Sequence, residues 1–198
     1  MGEIGKSVKA MVKMILQRAP EFSWEAAANR LVLTLEPGGA VINIFDRRYR
    51  HPETSEIHSH SVDFRSDIVA GVMRQWRYTR TRAADEGSAT HWCQEVKLAG
   101  ELKGAPFACC LTNNPVEIYQ AGDSYEITAP EFHWVEPDDG TVTLITRQYK
   151  TSPESTFTFW PYQGALTVDR TPIGKFPQRQ AAEDVVRAVT CGALEKWF

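Results

Sequence analysis

Thiols are scarce and scattered in this chain: its four cysteines, Cys93, Cys109, Cys110 and Cys191, form no Cys-x-x-Cys pair. That excludes a disulfide framework or a thiolate metal knot, and the four are read as reduced thiols. No apolar stretch approaches the roughly 18 to 20 residues of a spanning helix. The opening Met1-Gly2-Glu3-Ile4-Gly5-Lys6 lacks the apolar centre of a secretory signal, and Lys6 stands where a myristoylation motif wants Ser or Thr. A cytoplasmic location without a membrane partner is therefore expected. Neither sign of charge dominates, with 22 Lys and Arg against 25 Asp and Glu and a net charge of -3. Bulk electrostatics thus give no reason to expect a nucleic-acid partner. Internal repeats are absent, and histidine is limited to five positions.

What the chain does have is turns and short alternating runs. With 198 residues, 42% of them apolar, it can bury one substantial core. Ile4, Val8, Met11, Val12, Ile15 and Leu16 recur at helical spacing between lysines, which predicts an amphipathic helix ended by Pro20. Its basic face is read as solvated rather than membrane-bound. Ser23 can cap a helix running to about Leu35, while Leu31-Val32-Leu33-Thr34-Leu35 suits a strand equally well. Beyond the Pro37-Gly38-Gly39 turn, eight or more short β-branched and aromatic segments follow, separated by turn residues. Gln178 to Phe198 again reads as a helix. The expected fold is all-β dominated, a closed or two-sheet barrel with N- and C-terminal helices. The expected division is residues 1–36 as a helical segment packed on the barrel, 37–163 as the barrel, and 164–198 as an irregular segment and helix.

One run carries chemistry. Glu56-Ile57-His58-Ser59-His60-Ser61-Val62-Asp63-Phe64 reads as a strand, and a strand puts His58 and His60 on one face, their Cα atoms about 6.5 to 7 Å apart. Two such rings can converge on one cation at about 2.0 to 2.2 Å, provided that the chain supplies a third ligand. His133, after the Gly122-Asp123 turn and Pro130, is the best candidate. His51, beside Pro52 in a polar loop, is read as exposed, and His91, next to Trp92, as structural. Asp63 is a candidate fourth ligand only if a bulge turns it inward. Glu56, Glu126 and Glu131 are candidates for orienting the imidazoles. In the run from Arg74 to Arg82, alternation groups Arg74, Trp76, Tyr78, Arg80 and Arg82 on one face. If that face lines the barrel, Arg74 can hold a substrate carboxylate or phosphate; if it looks outward, it protects an edge.

A His-x-His strand, followed some seventy residues later by a Gly-Asp turn, a Pro and a single His, resembles the two motifs of the cupin superfamily. The resemblance spans about Val41 to Trp160. The string from His58 to Gly71 looks closer to small bacterial and phage cupins with a His-x-His-x-x-Asp-Phe/Trp pattern. It implies a double-stranded β-helix, or jelly-roll, barrel with a divalent metal at His58, His60 and His133. Phe64 and Arg65 occupy the positions where cupins usually place a Glu, so the ligand set resembles that of cupin thiol dioxygenases. Fe(II) is the metal that likeness implies first, with Zn, Ni or Mn as alternatives. The implied function is a metal-binding cupin acting as a mononuclear Fe(II)-dependent dioxygenase on a small molecule. An isomerase-like or purely ligand-binding cupin is the alternative, and a nucleic-acid or protein-binding module using Arg47 to Arg50 and the Arg74 to Arg82 run is the weaker one. Tyr149 and Tyr162 are conceivable counterparts of the thiol dioxygenases' active-site tyrosine. Cupins of this kind also make a homodimer an expectation.

Overall fold

The computed structural model describes residues 3–18, 25–27, 30–35, 40–45, 57–97, 101–148 and 155–161. Among these residues one α-helix, α1 (Glu3–Gln17), precedes thirteen strands. These are β1 (Glu25–Ala27), β2 (Arg30–Leu35), β3 (Ala40–Phe45), β4 (Ile57–His58), β5 (Asp63–Ala70), β6 (Val72–Arg82), β7 (His91–Lys97), β8 (Leu102–Asn113), β9 (Glu117–Gln120), β10 (Ser124–Ile127), β11 (Phe132–Pro137), β12 (Val142–Gln148) and β13 (Ser155–Pro161). The expected C-terminal helix, His51, Glu56, Arg47 to Arg50, Tyr149, Tyr162 and Cys191 lie outside the described residues.

Two antiparallel sheets make a jelly-roll β fold. The first runs β1-β2-β3-β12-β5-β10 and the second β11-β4-β13-β7-β8-β6-β9. In the second, β11 hydrogen-bonds to β4 along one edge and to β6 along the other, so that this sheet returns on itself. The segment after Ser23 resolves toward strand where it is described. In β2, Leu31 and Leu33 are buried while Thr34 is exposed, an alternation of period two that a helix would break. Among the described residues the first sheet begins at Glu25.

Packing assigns a role to each face. Val12 and Leu16, four residues apart on α1, are fully buried against Leu31, Leu33, Ile42, Ile44, Val69, Ala70, Val142 and Leu144. A helix of 15 residues is marginal alone in water, so this docking is what holds it. Burying each such side chain stabilises by about 1.5 to 3 kcal/mol. Central strands β3 and β12 are buried on both faces, covered by α1 on one side and by the second sheet on the other. Between the sheets, Phe45, Phe64, Ile68, Tyr125 and Ile127 meet Met73, Tyr119 and Val135. The opposite face of the second sheet gathers Ile57, Cys93, Cys109, Leu111, Phe132, Phe157 and Phe159.

The chain crosses from one sheet to the other at Gly71, whose φ of 81° lies in the left-handed region. The hydroxyl of Thr141 sits there, donating to the Val72 carbonyl at 2.9 Å and accepting from the Val72 N–H at 3.3 Å. A β-carbon at residue 71 would stand 2.5 Å from Thr141 Oγ1 and 2.7 Å from Thr141 Cα. Only glycine combines that dihedral with that approach.

Candidate metal centre

His58, His60 and His133 come together. Their ring centroids are 4.7, 4.9 and 5.0 Å apart, a nearly equilateral triangle. One ligand nitrogen from each lies within 4.8 Å of the others. The Nε2 atoms of His60 and His133 face one another at 2.8 Å. Two nitrogens bound at about 2.1 Å and at right angles about a cation would be about 3.0 Å apart, so this pair already has the spacing of neighbouring ligands. Three imidazoles from two stretches of chain, 58–60 and 133, form a donor set suited to a divalent first-row metal.

The backbone brings the rings together differently from the expectation. Only Ile57 and His58 are in strand; Ser59 to Val62 bend away. Ser59 is clamped to β13, its N–H donating to the Phe157 carbonyl and its Oγ accepting from the Phe157 N–H, both at 3.0 Å. His60 then donates its N–H to the Ala129 carbonyl at 3.2 Å, which carries its ring over to the β11 side. The His-x-His spacing works here through a bend rather than a shared strand face, because residue 59 is pinned to one neighbour and residue 60 to another. His133 arrives by ordinary pairing, directly opposite His58 on one side and Arg77 on the other.

Burial sets the protonation of His133. It is 3% exposed, and its pKa is pushed well below the usual 6.5, first by loss of solvent and then by the charges of His58, His60 and Arg77. Its Nδ1 is buried and has no hydrogen-bond partner. Glu131, one of the carboxylates expected to orient an imidazole, binds the Arg77 guanidinium and accepts the Thr128 N–H instead.

Asp63 stands outside the imidazole group: its Oδ1 accepts the Ala129 N–H at 2.7 Å. Because the His60 N–H bonds to the carbonyl of that same Ala129, Asp63 fixes the bend that carries His60. Arg74, the arginine expected to reach a ligand, points to the opposite face of β6 from the imidazoles. It is bound at 2.6 Å to Asp138, whose carboxylate raises its pKa. Arg80 lies over the rings of Phe107, Phe132 and Phe157. His91 holds its Nδ1 2.9 Å from the Thr90 hydroxyl and is not part of the cluster.

The arginine beside the site is Arg77, which the sequence reading passed over by following the residues of the other parity. It donates to Glu117 at 2.9 Å, to Glu131, and to the Glu126 carbonyl at 2.9 Å. Burial works against its charge, but the bonds to Glu131 and Glu117 outweigh that and raise its pKa. A signal existed: Met73, an apolar residue of that same parity, is one that a barrel interior would select from this run.

No family model matches the chain, and no curated protein matches it. Solved structures with some likeness include Drosophila melanogaster CENP-C bound to CAL1, at 9% identity and a TM-score of 0.37, over 72% of this chain and 98% of that one. An RmlC-like cupin from Shewanella frigidimarina shows 15% identity and a TM-score of 0.33, over 70% and 85%. Hydroxypropylphosphonic acid epoxidase from S. wedmorenis shows 11% identity and a TM-score of 0.36, over 66% and 56%.

Proposed function

We propose that this protein is a metal-binding barrel of the cupin type, in which His58, His60 and His133 hold one divalent cation and a small molecule binds at the positions they leave open. The observation that supports it is the convergence of three imidazole nitrogens within 4.8 Å at the inner face of the second sheet. Fe(II) is the first metal to test, with Zn, Ni and Mn behind it, since three neutral nitrogens accept them all. When bound, iron would supply Lewis acidity and one-electron chemistry to a chelating substrate, and dioxygenase activity is the reading this favours. The chain's own residues confine and orient: Phe64 packs edge-on to His60 at 4.7 Å, and the Asp63 carboxylate ties the His60 bend to Ala129.

Three of the four arginines of β6, Arg74, Arg77 and Arg80, are engaged within the fold, which favours a small-molecule partner over a nucleic acid. Metal analysis of purified protein should return about one divalent ion per chain, lost in His58→Ala and His133→Ala. Oxygen consumption by the iron-loaded protein against small thiols and diketones then tests turnover. A retained metal with no uptake on any substrate would leave ligand binding or non-redox chemistry as the function.

A further inference from the structure

We propose that Gln75 is the recognition group for the far end of the ligand held at the three imidazoles, and that this end is an uncharged hydrogen-bonding group, a carboxamide or hydroxyl, and not a carboxylate. This deepens the metal-site reading above and rests on it. Gln75 is fully buried, and neither its amide nitrogen nor its amide oxygen has a hydrogen-bond partner. A buried carboxamide with both ends unpaired is costly, and in a native fold it calls for a partner that binds there.

Its position says where that partner comes from. On β6, Gln75 lies directly opposite Val135 of β11 and Glu117 of β9. Val135 and Met73, on the same face, pack between the sheets with Phe64 and Ile68. Arg77, two residues further along that face, is directly opposite His133. Gln75 is therefore one strand repeat, about 6.8 Å, from the row carrying His58 and His133. A molecule chelated at the imidazoles needs only two or three further atoms of chain to reach it.

The charges nearby select the class. Arg77, the cation beside the imidazoles, already gives hydrogen bonds to two carboxylates and a carbonyl. With Glu117 and Glu131 it forms a trio of net negative charge, which offers no counter-ion to a ligand carboxylate. Arg74 and Arg80 lie on the opposite face of β6. The Gln75 amide offers both a donor and an acceptor, the complement of a carboxamide or hydroxyl.

The test uses the Co(II)-loaded full chain, whose d–d absorption reports ligation, and three hydroxamates built on the same two-methylene spacer. Their far ends are a carboxamide, a carboxylate and an isopropyl group. The carboxamide compound should bind about tenfold or more tighter than the other two, and the preference should collapse to within about twofold in Gln75→Met. The wild-type ranking stands whether or not that variant folds. Tightest binding by the carboxylate compound would overturn the proposal in favour of cation recognition. A flat ranking, or one led by isopropyl, would overturn it by making Gln75 a core residue served by internal water. Acetohydroxamate, too short to reach Gln75, separates the two readings: if Co(II) is not retained, or its spectrum ignores acetohydroxamate, the metal site itself is wrong.

Discussion

At the scale of single residues, the imidazole cluster depends on groups that lie outside it. Asp63 is the clearest, since its position in the sequence makes it a candidate ligand while its carboxylate accepts the N–H of Ala129. Two substitutions separate the roles. Asp63→Ala removes the acceptor and should cost about 1 to 2 kcal/mol in urea unfolding. Asp63→Asn keeps an oxygen acceptor and should lose at most about half of that, with metal content unchanged. A large loss of metal in Asp63→Asn, with stability intact, would make the carboxylate a ligand. Arg77 behaves as a structural cation: Arg77→Met strands Glu117 and Glu131 beside each other, and should lower the melting temperature more at low salt than at high salt, where their repulsion is screened. The residues of this site were unevenly readable in the sequence. Histidines at 58, 60 and 133 stand out because few side chains bind metals and only five histidines exist. Arg77 and Gln75 do not, because an arginine or glutamine in a strand signals nothing until the facing parity is known.

At the scale of elements, the corner at Gly71 is where β5 of the first sheet becomes β6 of the second. Gly71→Ala would force a β-carbon to within 2.5 Å of Thr141 Oγ1 at a φ of 81°. It should destabilise by about 2 to 4 kcal/mol, read from the denaturation midpoint at unchanged slope, while Gly104→Ala, whose β-carbon meets nothing within 4 Å, should cost about 1 to 2 kcal/mol from its dihedral alone. Equal costs at the two positions would refute the contact with Thr141. The elements themselves were largely foreseeable, since α1, β3, β6, β7 and β12 follow from periodicity and turn residues. The His-x-His segment was not. A strand of two residues followed by a bend has the composition of a longer strand, and only the clamp of Ser59 onto Phe157 ends it.

For the molecule as a whole, burial of one imidazole couples the site to pH. His133 resists protonation in the folded state, whereas the unfolded chain takes up a proton near pH 6.5. Below that value the unfolded state binds more protons, so stability falls with added acid, by at most about 1.4 kcal/mol per pH unit for this group. The melting temperature of chelator-treated protein should hold steady from about pH 8 to 7 and drop below about pH 6.5, with a shallower drop in His133→Asn. A melting temperature indifferent to pH between about 7 and 5 would contradict the burial of this ring. With metal present the same acidification should also release the cation, because protonated imidazoles do not bind it. A closed or two-sheet β fold was foreseeable from many short strands, yet not the return of the second sheet on itself, because β11 must use both of its edges and neither edge announces its partner.

That doubly used strand also carries Trp134, whose indole stacks on Trp76 of β6 at 4.5 Å and an interplanar angle of 25°. Two chromophores so close and so nearly parallel share their excitation, so the folded chain should show a paired positive and negative band in circular dichroism. Trp134 neighbours His133 in sequence, and the stack spans the seam through which His133 is hung, which gives the protein a built-in optical gauge of whether the strand holding the third imidazole is seated.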